Sequence, residues 1–251
     1  MTTPIPDPRL LSLHRTCLFL DVDGTLLEFR TRPADVHVDD ELLVLLARLR
    51  AGLDGALALV SGRPLQQLDR LFAPLHLPAA GLHGFERRCS RQQLHRRTLS
   101  ADRLDTARAA LQSACHRHPA LELEDKAVAL ALHYRGAPEE ADRARSLMES
   151  LARPLTPEFE LLEGDCVIEL KPASSNKAIA IEAFMKESPF SARTPVYIGD
   201  DRTDFDGFSA VRRHMGFDIA VGDRVQASWR LPNPAAVRLW LHELAASGTE
   251  P

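Results

Sequence analysis

"CLFLDVDGTLLEF" occupies Cys17–Phe29 and decides how the rest of the chain reads. From Thr16 to Leu20 the residues favour a buried strand, and two carboxylates, Asp21 and Asp23, stand one residue apart where that strand should leave the core. Two carboxylates held about 4 Å apart repel by about 4 kcal/mol at an effective dielectric near 20. Their placement therefore needs a compensating charge from elsewhere.

The strand is followed by others of the same kind. Asp39 caps a helix that runs to Arg50, in which Leu42, Leu43, Leu45, Leu46 and Leu49 recur at helical spacing and Gly52 is the stop. "GALALVSGR" (55–63) is a second apolar strand ending at Ser61, and Pro64 opens a helix carrying Leu65, Leu68, Leu71 and Phe72 on one side. "TPVYIGDD" (194–201) and "FDIAVGD" (217–223) are a third and a fourth strand with a helical segment between them. Alternation of buried strands with amphipathic helices predicts an α/β fold, a parallel sheet covered on both faces.

The middle of the chain reads differently. A helix from Ala101 to His118, a strand pattern in "LELEDKAVALALHYR" (121–135), a helix from Pro138 to Ala152 and strands in "FELLEG" (159–164) and "CVIELKP" (166–172) make an α+β module. We expect a core built from residues 1–88 and 173–251, interrupted by an inserted cap domain over 89–172.

Composition narrows the function. A chain of 251 residues, 45% hydrophobic and with a net charge of −4, buries a sizeable core and has no general attraction to nucleic acid or to an anionic membrane. No apolar run is long enough to span a bilayer, and "MTTPIPDPRLLSLHR" reads as a short disordered lead-in rather than a leader. Cys17, Cys89, Cys115 and Cys166 have neither metal-site nor disulfide spacing, as expected of reduced packing cysteines in a cytoplasmic protein. A monomer is the expected state.

In an open parallel sheet, ligands bind at the carboxyl ends of the strands. Three predicted strands end there in polar groups: Asp21 and Asp23; Ser61 with Arg63; Asp200 and Asp201, with Asp204 soon after. So many carboxylates in one place call for a cation, and an all-oxygen donor set suits Mg²⁺, which commonly bridges to a phosphate. Gly24 and Thr25 supply a turn and a hydroxyl for an anion, Ser61 adds a second hydroxyl, and Lys177 in "SSNKAIAIEAF" places a positive charge in the first turn of a helix. Together these groups specify phosphoryl transfer. An EF-hand reading of "DVDG" fails because its glycine falls at position four of the loop, not six.

"DVDGTL", "SGR", a helix-borne lysine and "GDDRTD", in that order, resemble the four signatures of the haloacid dehalogenase superfamily of phosphatases. "GLHGFERR" (81–88), "LEDKAVALALHYR" and "VIELKP" (167–172) further resemble one branch, the trehalose-6-phosphate phosphatases, and the likeness runs from Cys17 to about Leu244. The resemblance implies a Rossmann-like core with an α+β cap, and Asp21 as the nucleophile that takes the phosphoryl group. It implies Asp23 as general acid and then base, with its backbone carbonyl on the metal, and Asp200 as a further metal ligand supported by Asp201 and Asp204. Thr25, Ser61 and Lys177 would bind phosphate oxygens, with Gly24 and Arg63 beside them.

On a strand, residues two apart share a face, which groups Glu124 with Lys126 and Glu169 with Lys171, opposite a buried row of Cys166, Ile168 and Leu170. By resemblance, Glu124, Lys126, Glu169, Lys171 and Arg135 bind the sugar of a phosphosugar substrate, and the cap acts as a lid. One position departs from the family: Phe205 stands where Glu is usual. A phosphatase for sucrose phosphate or a glycosyl-glycerate phosphate is the nearest alternative, because only the cap reads the sugar, and a phosphosugar sensor without turnover is another. His83, Glu86 and Arg87 remain open between packing and function.

Overall fold

The computed structural model describes residues 7–28, 36–99 and 101–247. Phe29, at the end of the opening stretch, and the first six residues of the lead-in lie outside the described residues. The rest of the lead-in corrects the expectation of disorder: Pro8–Leu10 and Leu13–Arg15 form two short helical turns, the first capped by the Asp7 carboxylate and the second burying Leu13 in the core.

The chain falls into two compact units, one of Met1–Arg96 with Asn176–Pro251 and one of Arg97–Ser175. In the first unit, β1 (Thr16–Leu20) is buried along its whole length, and the chain then runs through α1 (Asp40–Gly52), β2 (Leu57–Val60) and α2 (Leu65–Leu71). Asp39 caps α1 by accepting the Leu42 N–H at 2.8 Å, and Leu42, Leu45, Leu46 and Leu49 bury its apolar side. Three short strands follow, β3 (Ala79–Gly81), β4 (Glu86–Arg88) and β5 (Leu94–Arg96).

The second unit holds α3 (Asp105–Arg117), β6 (Glu122–Asp125), β7 (Leu130–His133), α4 (Ala141–Ala152), β8 (Phe159–Gly164) and β9 (Val167–Pro172). Back in the first unit come α5 (Lys177–Phe184), β10 (Thr194–Gly199), α6 (Asp204–Arg213), β11 (Phe217–Val221), β12 (Trp229–Leu231) and α7 (Pro234–Ser247).

The larger sheet has the order β12-β11-β10-β1-β2-β3-β4-β5, parallel from β12 to β3 and antiparallel beyond. Chain order runs outward from β1 in both directions, so the topological switch lies between β1 and β10, where Leu20 faces Ile198. Phe19, Phe184 and Phe190 pack as a trio with ring centroids 4.9–5.8 Å apart, fixing α5 against β1.

The insertion differs from the expected 89–172, because residues 89–96 complete a hairpin on the larger sheet before the second unit starts at Arg97. Its sheet, β6-β7-β9-β8, is antiparallel throughout, and "LELEDKAVALALHYR" is a hairpin of two strands. Leu130, Leu132, Ile168 and Leu170 form its buried side with Leu111 of α3 and Met148 of α4. Cys166 does not join that row: it sits half-buried at φ +56° in the turn between β8 and β9.

Candidate active site

The carboxyl ends of β1, β2 and β10 carry the polar groups. Asp21 follows β1, and its N–H donates to the Ile198 carbonyl at 3.0 Å, so β1 and β10 reach the same level. The chain then turns tightly: Gly24 adopts φ +82° and donates to the Leu27 carbonyl at 2.7 Å, while the Leu26 and Leu27 N–H groups share the Val22 carbonyl at 3.0 Å. Inside this turn Thr25 is fully buried and its hydroxyl has no hydrogen-bond partner among the described residues. A buried polar atom without a partner costs about 1–3 kcal/mol, which suits a position that an incoming ligand oxygen satisfies.

α5 delivers Lys177 from its first turn, capped by Asn176, whose side chain accepts the Ile179 N–H at 2.9 Å. The Lys177 ammonium, itself buried, donates to Asp21 Oδ1 at 2.7 Å and to Asp204 Oδ1 at 2.5 Å. Burial disfavours its charge, but the carboxylates of Asp204 and Asp21 outweigh that and hold its pKa well above the usual lysine range.

Asp21, Asp200 and Asp204 bring carboxylate oxygens within 4.8 Å of one another, all buried. Asp204 is already saturated: Oδ1 also accepts the Tyr197 hydroxyl, and Oδ2 accepts the backbone N–H groups of Asp200 and Asp201 at 2.9 and 3.0 Å. That leaves Asp21 and Asp200 as the carboxylates of the cluster that could hold a cation. Burial pushes Asp21 up to about 8, partly offset by Lys177, and pushes Asp200 up to about 9, reinforced by the charge of Asp21. A divalent cation would offset this crowding, and a hard, oxygen-loving ion such as Mg²⁺ fits this donor set.

The carboxylates of Asp23 and Asp201 are held by other partners. The Asp23 carboxylate is clamped by Arg63, whose Nε and Nη2 donate to its two oxygens at 2.6 and 2.7 Å. Arg63 therefore fixes the Asp23 side chain at the end of β1. Asp201 Oδ1 accepts the Thr203 N–H and hydroxyl at 2.8 and 2.6 Å. Burial raises its pKa, but Lys177 and these bonds lower it further, leaving it below the usual carboxylate range.

Ser61, just beyond β2, is buried and accepts the Arg63 N–H at 3.1 Å. His83 is also buried, at φ +55°, with its ring against Gly62, where a Cβ would lie 2.7 Å from the imidazole. Glu86 accepts the Leu65 N–H at 2.7 Å and pairs with Arg96 at 2.6 Å, tying α2 to β5, while Arg87 pairs with Glu187 at 2.6 Å. Sequence reasoning passed over Tyr197, read as one more strand residue, and Arg224, which lies 3.6 Å from Asp200 on a loop without a recognisable pattern.

In the second unit, the polar face of the sheet collects the remaining candidates. Glu124 and Glu169 both stand opposite Ala131, so they share one row across β6, β7 and β9 with a small residue between them. Glu124 meets His133 at 3.1 Å, and Glu169 meets Lys126, from the turn after β6, at 3.1 Å. Lys171 donates to Glu160 at 2.5 Å and to the Ser175 carbonyl at 2.7 Å. Arg135 lies further out, bonded to the carbonyl and carboxylate of Asp165 at 2.7 and 3.1 Å.

The fold is that of the haloacid dehalogenase-like hydrolases. One from Bacteroides thetaiotaomicron superposes with a TM-score of 0.63 at 14% identity, covering 90% of this chain and 98% of that one. A trehalose-6-phosphate phosphatase related protein superposes with a TM-score of 0.77 at 26% identity, covering 92% and 97%. The trehalose-6-phosphate phosphatase of Escherichia coli K12 is 40% identical over 248 residues, 98% of this chain and 92% of that protein. The family model for trehalose-phosphatase matches residues 19–234, and the chain belongs to that family.

Proposed function

We propose that this protein hydrolyses trehalose 6-phosphate to trehalose and inorganic phosphate, as a cytoplasmic, monomeric enzyme of trehalose biosynthesis. Among the described residues no helix is long and apolar enough to cross a membrane. The observation that carries the chemistry is the buried set in which Lys177 bridges Asp21 and Asp204 beside the unpartnered hydroxyl of Thr25.

A carboxylate of Asp21 attacks phosphorus, the bond to the sugar oxygen breaks, and that oxygen takes a proton from Asp23. Water then attacks phosphorus, giving a proton to Asp23, and the bond from phosphorus to Asp21 breaks to release phosphate and restore the carboxylate. Arg63 orients Asp23 through its two-point clamp; Thr25, Ser61 and Lys177 receive the phosphoryl oxygens. Asp21 and Asp200 would hold Mg²⁺, with the Asp23 carbonyl and Asp201 supporting it; the ion supplies charge neutralisation to the phosphoryl oxygens. Glu124, Lys126, Glu169 and Lys171 hydrogen-bond the sugar hydroxyls and make the choice among phosphosugars.

A phosphate-release screen over trehalose 6-phosphate, sucrose phosphate, a glycosyl-glycerate phosphate and glucose 6-phosphate in excess Mg²⁺ tests this reading. The highest kcat/KM is expected for trehalose 6-phosphate. Preference for another sugar phosphate would reassign the substrate, and binding without release on all of them would mark a sensor.

A further inference from the structure

Asp204 accepts four hydrogen bonds, and one donor belongs to no phosphate-binding motif: the hydroxyl of Tyr197, in the middle of β10. Both side chains are fully buried. The backbone has made room for this pair. A Cβ at Gly207, on α6, would lie 2.2 Å from Tyr197 Cε1, and one at Gly199 would lie 2.3 Å from Asp204 Cγ. The ring and the carboxylate thus sit in a slot that two glycines keep open.

The electrostatic consequence falls on Lys177. Its ammonium lies between two carboxylates, so whatever share of its charge Asp204 claims is lost to Asp21 and to the phosphoryl oxygens. Tyr197 donates to Oδ1, the oxygen that Lys177 also uses. By satisfying that oxygen independently, the hydroxyl weakens the pull of Asp204 on the ammonium and leaves Lys177 directed at Asp21.

We propose that Tyr197 is a positioning residue for the reaction, acting through Asp204 to set how Lys177 divides its charge between Asp204 and the attacking carboxylate. The inference rests on the phosphatase reading above. Removing the hydroxyl lets Asp204 draw Lys177 toward itself, at a cost felt mainly when charge develops at phosphorus.

The test is Tyr197→Phe, assayed on trehalose 6-phosphate and on an aryl phosphate, with Asp204→Asn and the double variant alongside. We expect kcat to fall about tenfold on both substrates with KM within about twofold, the size of one charge-assisted hydrogen bond lost in the transition state. In the Asp204→Asn background, Tyr197→Phe should cost nothing further, whereas a packing role would add its loss in either background. Wild-type kcat in Tyr197→Phe, or an equal loss with and without Asp204, overturns the proposal. If Asp204→Asn does not fold, Gly207→Ala replaces it: displacing the ring should lower kcat in the Tyr197 protein but not in Tyr197→Phe, and equal losses in both overturn the idea. Wild-type protein inactive on trehalose 6-phosphate but active on the aryl phosphate would refute the substrate assignment while leaving the Tyr197 effect measurable.

Discussion

The two sheets handle charge in opposite ways. At the ends of β1 and β10, charged groups from distant parts of the sequence are buried together around Asp204, which takes two backbone N–H groups, a tyrosine and a lysine. On the polar face of the smaller sheet, Glu124 of β6 meets His133 of β7, and Lys126, from the turn after β6, meets Glu169 of β9, each 3.1 Å apart. The first arrangement is preorganised and costly to disturb, as transition-state stabilisation requires. The second lines charged side chains along one row of a sheet, the donor and acceptor types that sugar hydroxyls call for. Chemistry and selectivity should therefore separate under mutation.

The largest effect expected is at the buried cluster. Asp21→Asn removes the nucleophile and should abolish phosphate release from every substrate, a loss of at least about a thousandfold. The fold should survive, because the substitution relieves like-charge crowding with Asp200 and Asp204; the melting temperature of the metal-free protein should hold or rise. Residual turnover above one per cent would remove Asp21 from its role.

The smaller sheet should answer differently. Glu124→Ala and Glu169→Ala are each expected to raise KM for trehalose 6-phosphate about ten- to a hundredfold, the worth of a hydrogen bond to a charged group, while leaving an aryl phosphate nearly unaffected. Equal losses on both substrates would show that these residues support the structure and do not read the sugar.

The same contrast explains what the sequence disclosed. Strands β1, β2, β10 and β11 are legible because each is a run of apolar residues with a polar end, and the site residues at those ends follow from the topology. Strands β3, β4, β5 and β12 are three residues long, and "AAG" carries no strand-forming side chains, so nothing local marks them. The boundary of the insertion slipped from 97 to 89 for the same reason. The Arg63–Asp23 pair is not legible, because the two residues stand forty apart and spacing is silent on such pairs. Tyr197 was hidden by its own neighbours: in "PVYIG" an aromatic reads as packing, and only the fold reveals where its hydroxyl points.

A third test bears on the cost of the buried cluster without a cation. Asp21 and Asp200 rise from the ordinary carboxylate value to about 8 and about 9, first through burial. Between the unfolded value near 3.8 and these, the folded protein binds more protons than the unfolded chain. Stability from this source is thus full below about pH 4 and is lost as pH rises toward 8 to 9. The metal-free protein should lose several degrees in Tm between pH 6 and about 9, and Mg²⁺ should flatten the trend. Asp200→Asn should reduce the slope; an unchanged slope would place its origin elsewhere.

The smallest effect expected is at the edge between the two behaviours. Phe205, adjacent to Asp204 at the start of α6, is 53% exposed, and the Arg212 guanidinium lies 5.8 Å from its ring. A carboxylate here would be solvated and screened, yet it would still add negative field near Asp21 and Asp200. Phe205→Glu should accordingly tighten Mg²⁺ binding about two- to fivefold in a calorimetric titration. Stability should move by less than about 1 kcal/mol, because the cation–π contact that is lost is partly exposed and Arg212 gains an ionic partner. Weaker Mg²⁺ binding would mean that the aromatic ring itself shields the cluster, and the charge at this position would then matter less than its bulk.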